Sequence, residues 1–66
     1  MNWDMIKGQW HQMKGAVKAK WGEITDDEAD KADGDREKMV GLVQKKYGVA
    51  RDEAERQVDE WSKQLS

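Results

Sequence analysis

The sequence predicts an all-α fold, a small single domain of about four short helices arranged as two packed α-hairpins. Three observations carry that expectation. Apolar residues recur at steps of three and four, as one face of a helix requires, and nothing alternates with the period of two that a half-buried strand needs. Side chains that cap helix starts stand ahead of the periodic stretches, and glycines stand just past the ends of two of them. No proline interrupts the chain.

The first helix is predicted over 3–21. Trp3, Ile6, Trp10, Met13, Val17 and Trp21 form one stripe, and Asn2 suits the N-cap. Gly22 suits a left-handed C′ position, with Lys18 and Lys20 favourable in the last turn. A second, short helix is predicted over 26–32. Thr25 and Glu28 make a capping box, and Ile24 with Ala29 a hydrophobic staple around it, but only Ala29 and Ala32 are available for burial. The third, over 35–47, has Met39, Val40, Leu42, Val43 and Tyr47 as its buried side and Gly48 as its stop. The fourth, over 51–64, follows the stripe Ala50, Ala54, Val58, Trp61 and Leu65, and Asp52 with Glu55 gives it a weaker capping signal.

A duplication supports the hairpin arrangement. Shifted by 26 positions, Gly8, Met13, Gly15, Val17, Lys20, Gly22 and Asp26 fall on identical residues Gly34, Met39, Gly41, Val43, Lys46, Gly48 and Asp52, and Trp21 falls on Tyr47. Two copies of a helix–glycine–helix unit pack as two α-hairpins. A solenoid needs more units than two.

The 66 residues are 39% charged and 36% apolar, with a net charge of -2 and a mean hydropathy of -1.14. Low hydropathy pulls towards disorder, and a chain of about 60 residues buries only about 60% of its unfolded surface. Four tryptophans and a tyrosine oppose that, since each buried aromatic removes about 150–250 Å² from water. The expected core is Trp3, Ile6, Trp10, Met13, Val17, Trp21, Leu42, Val43, Tyr47, Val58 and Trp61. The longest apolar run, 39–43, is far shorter than the about 20 residues of a membrane span, and the first residues lack the apolar region of a secretory signal.

Chemistry finds little to work with. There is no cysteine, so neither a disulfide nor a thiolate zinc site. His11 is the one histidine, where a transition-metal site wants several matched donors. Ser62 and Ser66 are the only serines, and no nucleophile motif precedes either. The acidic stretch 23–37 fails as an EF-hand: with Gly34 at the sixth position, Ala29, Lys31 and Val40 occupy ligand positions. No phosphate-binding glycine loop is present. The expectation is a non-enzymatic protein without cofactor or metal.

Charge alternates by segment: +3 over 1–22, -6 over 23–37, +4 over 38–51 and -3 over 52–66. Such a pattern can be satisfied inside the fold, basic helices against acidic ones. Nucleic-acid binding through 1–22 and 38–51 is a weaker expectation, because the aromatics that would stack on bases are the apolar stripes of their own helices. Adsorption of the first helix to an anionic membrane surface is disfavoured by its modestly charged polar face. Gly8, Gly15 and Gly41 lie opposite the apolar stripes, where each costs about 1 kcal/mol relative to alanine. They are the candidate partner-binding face: a smooth surface that another chain approaches closely.

The residues resemble those of the CsbD-like family of small bacterial stress-response proteins. The pattern W-x-x-x-K-G-x-V-K-x-x-W-G-x-[IL]-T-D-D is met at Trp10, Lys14, Gly15, Val17, Lys18, Trp21, Gly22, Ile24, Thr25, Asp26 and Asp27. The second half matches at Gly34, Val40, Gly41, Tyr47, Gly48, Ala54 and Trp61. The resemblance implies a single cytoplasmic domain induced in general stress, with short helices packed orthogonally as in SAM-type domains. It brings no catalytic residues to carry over. The function expected is binding of a protein partner by a monomeric domain. The alternative is a hydrophilin-like protectant in osmotic or drying stress without a specific partner, which high charge and six glycines favour.

Overall fold

The structure, a computed structural model, describes residues 2–65. Among them are five helices, α1 (Trp3–Gly8), α2 (Trp10–Lys20), α3 (Asp26–Ala32), α4 (Arg36–Tyr47) and α5 (Arg51–Gln64), and no strand. Side chains begin three of them. Asn2 accepts the Met5 N–H, Thr25 and Glu28 close the reciprocal capping box, and Asp35 accepts the Lys38 N–H. Each satisfies amide groups that have no partner inside the helix. The capping role expected of Asp52 is not made: Ala50 is the N-cap of α5, and Asp52 lies in the first turn, accepting the neighbouring Glu53 N–H at 3.1 Å.

The single helix expected over 3–21 is two. Gln9, at φ -115° and ψ 22°, leaves helical geometry and caps both α1 and α2. Gly8, a weak helix former, stands just before the bend. Each piece then has its own tertiary anchor. The Lys7 backbone lies against Gly34, and the Trp10 indole N–H donates to the Ala29 carbonyl at 2.7 Å. Gly22 also departs from expectation. Only Gly34 and Gly48 among the described glycines have positive φ. α2 instead ends at Trp21, whose N–H donates to the Val17 carbonyl at 2.8 Å, whereas Gly48 caps α4 at φ 64°.

Consecutive helices pack: α1 on α2, α2 on α3, α3 on α4 and α4 on α5. The duplicated units are thus the hairpins α2–α3 and α4–α5. With extents of 28 × 22 × 18 Å the molecule is two helix diameters thick. That leaves one shared core and no room for a deep cleft.

Trp61 is the centre of that core. The rings of Trp3, Trp10 and Trp21 lie 6.1, 6.5 and 5.5 Å from it, tilted or edge-on as the ring quadrupole prefers. Ile6, Val17, Val43 and Val58 are buried as the spacing predicts, and so are Ile24, Ala29, Ala32, Met39, Val40 and Ala54. Trp3, Met13 and Leu42 are only half-buried against this cluster. Tyr47 is the correction: it is 40% exposed, and its hydroxyl accepts the Glu23 N–H at 3.1 Å. Met39, Val40 and Val43 already fill the inner side of α4, so the ring stays at the rim, where its hydroxyl is useful. The Trp21 indole is satisfied inside, donating to Gln57 at 3.1 Å.

Candidate functional site

Most charges of this surface are committed to one another. Across the α2–α3 contact Lys14 pairs with Asp30 and Lys18 with Asp26, and Lys46 of α4 reaches Glu28 of α3 at 2.7 Å. Arg36 opens α4 and grips Asp59 of α5 with two hydrogen bonds, at 2.8 and 3.0 Å, and touches Glu55 at 3.4 Å. Arg51 pairs with Glu37, and Arg56 with Glu53 and Glu60 along α5. The acidic stretch 23–37 therefore finds its counter-charges in the basic segments on either side of it.

Five lysines are left outside this web among the described residues: Lys7 on α1, Lys20 on α2 and three around one hollow. Lys31 of α3 and Lys38 and Lys45 of α4 enter no ion pair among the described residues, and all three border one hollow of about 360 Å³ between those helices. The rest of its lining is Ala32, Gly41, Leu42 and Glu28. Sequence spacing builds the α4 wall: Lys38, Gly41, Leu42 and Lys45 stand at i, i+3, i+4 and i+7 and so share one face. The lysines lie two turns, about 10.5 Å, apart. A Cβ placed on Gly41 would meet nothing within 4 Å, so the hollow opens directly over backbone. The apolar part of the lining comes from Ala32, Leu42 and the lysine stems, which can lie along it with their ammonium groups in water. Glu28 does not neutralise the lysines. Its carboxylate accepts the Thr25 N–H at 3.0 Å and pairs with Lys46, and these contacts, Lys46 first, hold its pKa down at about 2.

The structure does not gather the three glycines singled out in the sequence. All are exposed with open space at the Cβ position. Gly8 lines a separate polar hollow with Lys7, Trp10, His11, Lys14, Asp30 and Asp33, Gly41 lines the α3–α4 hollow, and Gly15 lines neither. The bend at Gln9 breaks the helical register that would have kept Gly8 and Gly15 on one face. No group of three or more His, Asp or Glu converges as a metal site among the described residues. No described helix is long and apolar enough to cross a membrane.

A family model described as CsbD-like matches residues 4–56. The chain belongs to the CsbD-like family. Among its relatives, the UPF0337 protein YjbJ of Escherichia coli O6:H1 is 46% identical over 63 residues, covering 96% of this chain and 91% of its own. The UPF0337 protein PA4738 of Pseudomonas aeruginosa is 45% identical over 65 residues, covering 98% and 100% respectively. A UPF0337 protein of Bordetella pertussis is 44% identical over 61 residues, covering 92% of each. The CsbD-like motif maps onto caps and core: Thr25 is the capping-box residue, and Trp10, Val17, Trp21 and Ile24 are buried.

The lysine hollow escaped the sequence reading. Its signal was the Lys38–Lys45 spacing flanking Gly41, but which lysines lack partners is decided by the opposing helices.

The carboxylate pairs give the domain an acid limit. Lys18 depresses the Asp26 pKa, Lys46 that of Glu28 and Arg36 that of Asp59, each chiefly through a hydrogen bond. A lowered folded pKa adds stability that is fully present above the unfolded value and is lost as pH falls through the folded one. Melting temperature should therefore hold steady down to near 4.5 and drop progressively towards about 2. Glu28→Gln, which keeps an oxygen for the capping box, should flatten that decline; a pH series as steep as that of the unaltered protein would dismiss the assignment.

Proposed function

We propose that this CsbD-like protein is a non-enzymatic stress-response protein that binds a protein partner at the α3–α4 hollow. The observation that carries the reading is the contrast within the surface. The hollow combines open apolar lining with three cations that the fold leaves unpaired, while the neighbouring charges are matched internally. Nucleic-acid binding loses most of its stacking groups, because Trp10, Trp21 and Trp61 are buried, leaving Tyr47 and the half-buried Trp3, and Lys14, Lys18 and Lys46 are already paired. The protectant alternative draws on composition alone and needs no hollow.

A photo-crosslinking side chain at position 41 tests the reading in osmotically stressed cells. The expected result is a discrete covalent adduct from position 41 and none from position 15, which is equally exposed but lies outside the hollow. Absence of any adduct, together with a scrambled chain that protects dried enzymes as well as the native one, would hand the function to the protectant alternative.

A further inference from the structure

We infer that the partner segment seated in the α3–α4 hollow is an acidic amphipathic helix, an assignment that rests on the hollow being the protein-binding site.

Three features of the hollow select that occupant. The first is charge: Lys31, Lys38 and Lys45 surround it, and its one acid, Glu28, is held by Lys46 and Thr25. An occupant of negative charge therefore meets three cations without displacing an internal pair. The second is periodicity. Lys38 and Lys45 stand two helical turns apart on α4 with Leu42 between them, so the wall repeats at the pitch of a helix. A helix laid along α4 with acids at i and i+7 and an apolar residue between them meets both lysines and Leu42 together. An extended segment, advancing about 3.3 Å per residue with alternating faces, does not match that repeat. The third is Gly41, at the middle of this face. With no side chain there and open space above it, a second backbone can approach α4 closely. Docking of an amphipathic helix in a groove then supplies apolar contact from the centre and charge at the edges.

A second copy of this chain does not fit. Of its two acidic helices, α3 has Asp26, Glu28 and Asp30 already bound by Lys18, Lys46 and Lys14, with Ala29 and Ala32 buried. The other, α5, has Glu53 and Glu60 at the required spacing, but both already bind Arg56. The apolar side of α5, Ala54, Val58 and Trp61, is buried in its own core. The occupant is therefore a different protein.

The test uses the whole chain and a fluorescein-labelled helical peptide of about five turns, with a leucine stripe edged by glutamates at seven-residue spacing. A control peptide carries lysine at every glutamate position, and phosphatidylglycerol vesicles form a separate arm. The native protein should bind the glutamate peptide, with affinity falling as salt rises, and leave the lysine peptide free. Lys38→Glu/Lys45→Glu should weaken binding at least about tenfold, whereas the charge-matched Lys7→Glu/Lys20→Glu should change it by less than about twofold. Gly41→Leu should abolish binding without lowering the melting temperature, since leucine is the better helix former and its Cβ meets nothing. Equal binding of both peptides would overturn the assignment, as would equal damage from the two double variants. So would vesicle binding with no peptide preference. Its failure is distinct from failure of the partner reading: an adduct at position 41 mapping to a segment that is not an acidic helix removes only the assignment, while no adduct removes the partner itself.

Discussion

Gly34→Ala is expected to remove most of the domain's stability. Gly34 sits at φ +74°, and a Cβ built there would stand 2.6 Å from the Cα of Lys7. The left-handed conformation alone costs a residue with a side chain about 1–2 kcal/mol. The contact adds to this, because a backbone atom cannot swing aside as the end of a side chain does. Relief requires moving α1 away from the Asp33–Gly34 turn, which draws Ile6 from the core, where it is fully buried. A core of this size rarely supplies more than about 3–5 kcal/mol in total, so a combined penalty of about 3 kcal/mol removes most of it. Two other glycines give the comparison its force. Gly48→Ala meets open space at φ +64° and should cost only the conformational part, about 1–2 kcal/mol. Gly15→Ala, exposed within α2 and unobstructed, should stabilise by up to about 1 kcal/mol. Chemical denaturation of the three variants checks the order; a Gly34→Ala protein no less stable than Gly48→Ala would show that the turn does not hold α1.

Trp61→Ala is expected to abolish cooperative folding. Trp61 is 4% exposed and is the ring against which Trp3, Trp10 and Trp21 all pack. Truncating a buried tryptophan costs about 3–5 kcal/mol, comparable with the whole stability available here. Because those three rings come from α1, α2 and the end of α2, the loss detaches both N-terminal helices from α5 rather than loosening one contact. Trp61→Phe keeps an aromatic face at the centre and should remain folded, at a cost of about 1–2 kcal/mol. Far-UV circular dichroism and tryptophan emission recorded through one melt decide the matter. The native chain and Trp61→Phe should give coincident sigmoidal transitions, and Trp61→Ala a gradual drift with solvent-exposed emission. A sigmoidal melt for Trp61→Ala near the native temperature would mean that the tryptophan cluster is not the centre of the fold.

The candidate site was less legible in the sequence than the fold. The in-helix glycines were visible as departures from good helix chemistry, and Gly41 does open onto the hollow. Gly8 lines a separate hollow and Gly15 neither, and the register between those two is interrupted at Gln9. The alternation of charge by segment was equally plain, and its internal pairing follows, as in Lys14 with Asp30 and Lys18 with Asp26. Segment charge says nothing about individual lysines, however. Lys45 and Lys46 are neighbours in sequence, yet one borders the hollow and the other binds Glu28, because successive residues of a helix point about 100° apart.

By itself the sequence determined the features whose physics is local. The capping box of Thr25 and Glu28, the left-handed stop at Gly48 and the stripes that bury Ile6, Trp10, Val17, Val58 and Trp61 each depend on residues within a few positions. Tertiary structure decided the rest. The bend at Gln9, against a stripe that continues unbroken to Trp21, accompanies anchors on Ala29 and Gly34, 19 and 27 positions from Trp10 and Lys7. Tyr47 left the expected core because Met39, Val40 and Val43 occupy the inner side of α4 and Glu23 offers its hydroxyl a partner at the rim. The hollow between α3 and α4 exists only once those helices are packed. Periodicity and capping are properties of single helices, whereas bends, vacancies and unpaired charges belong to contacts between them.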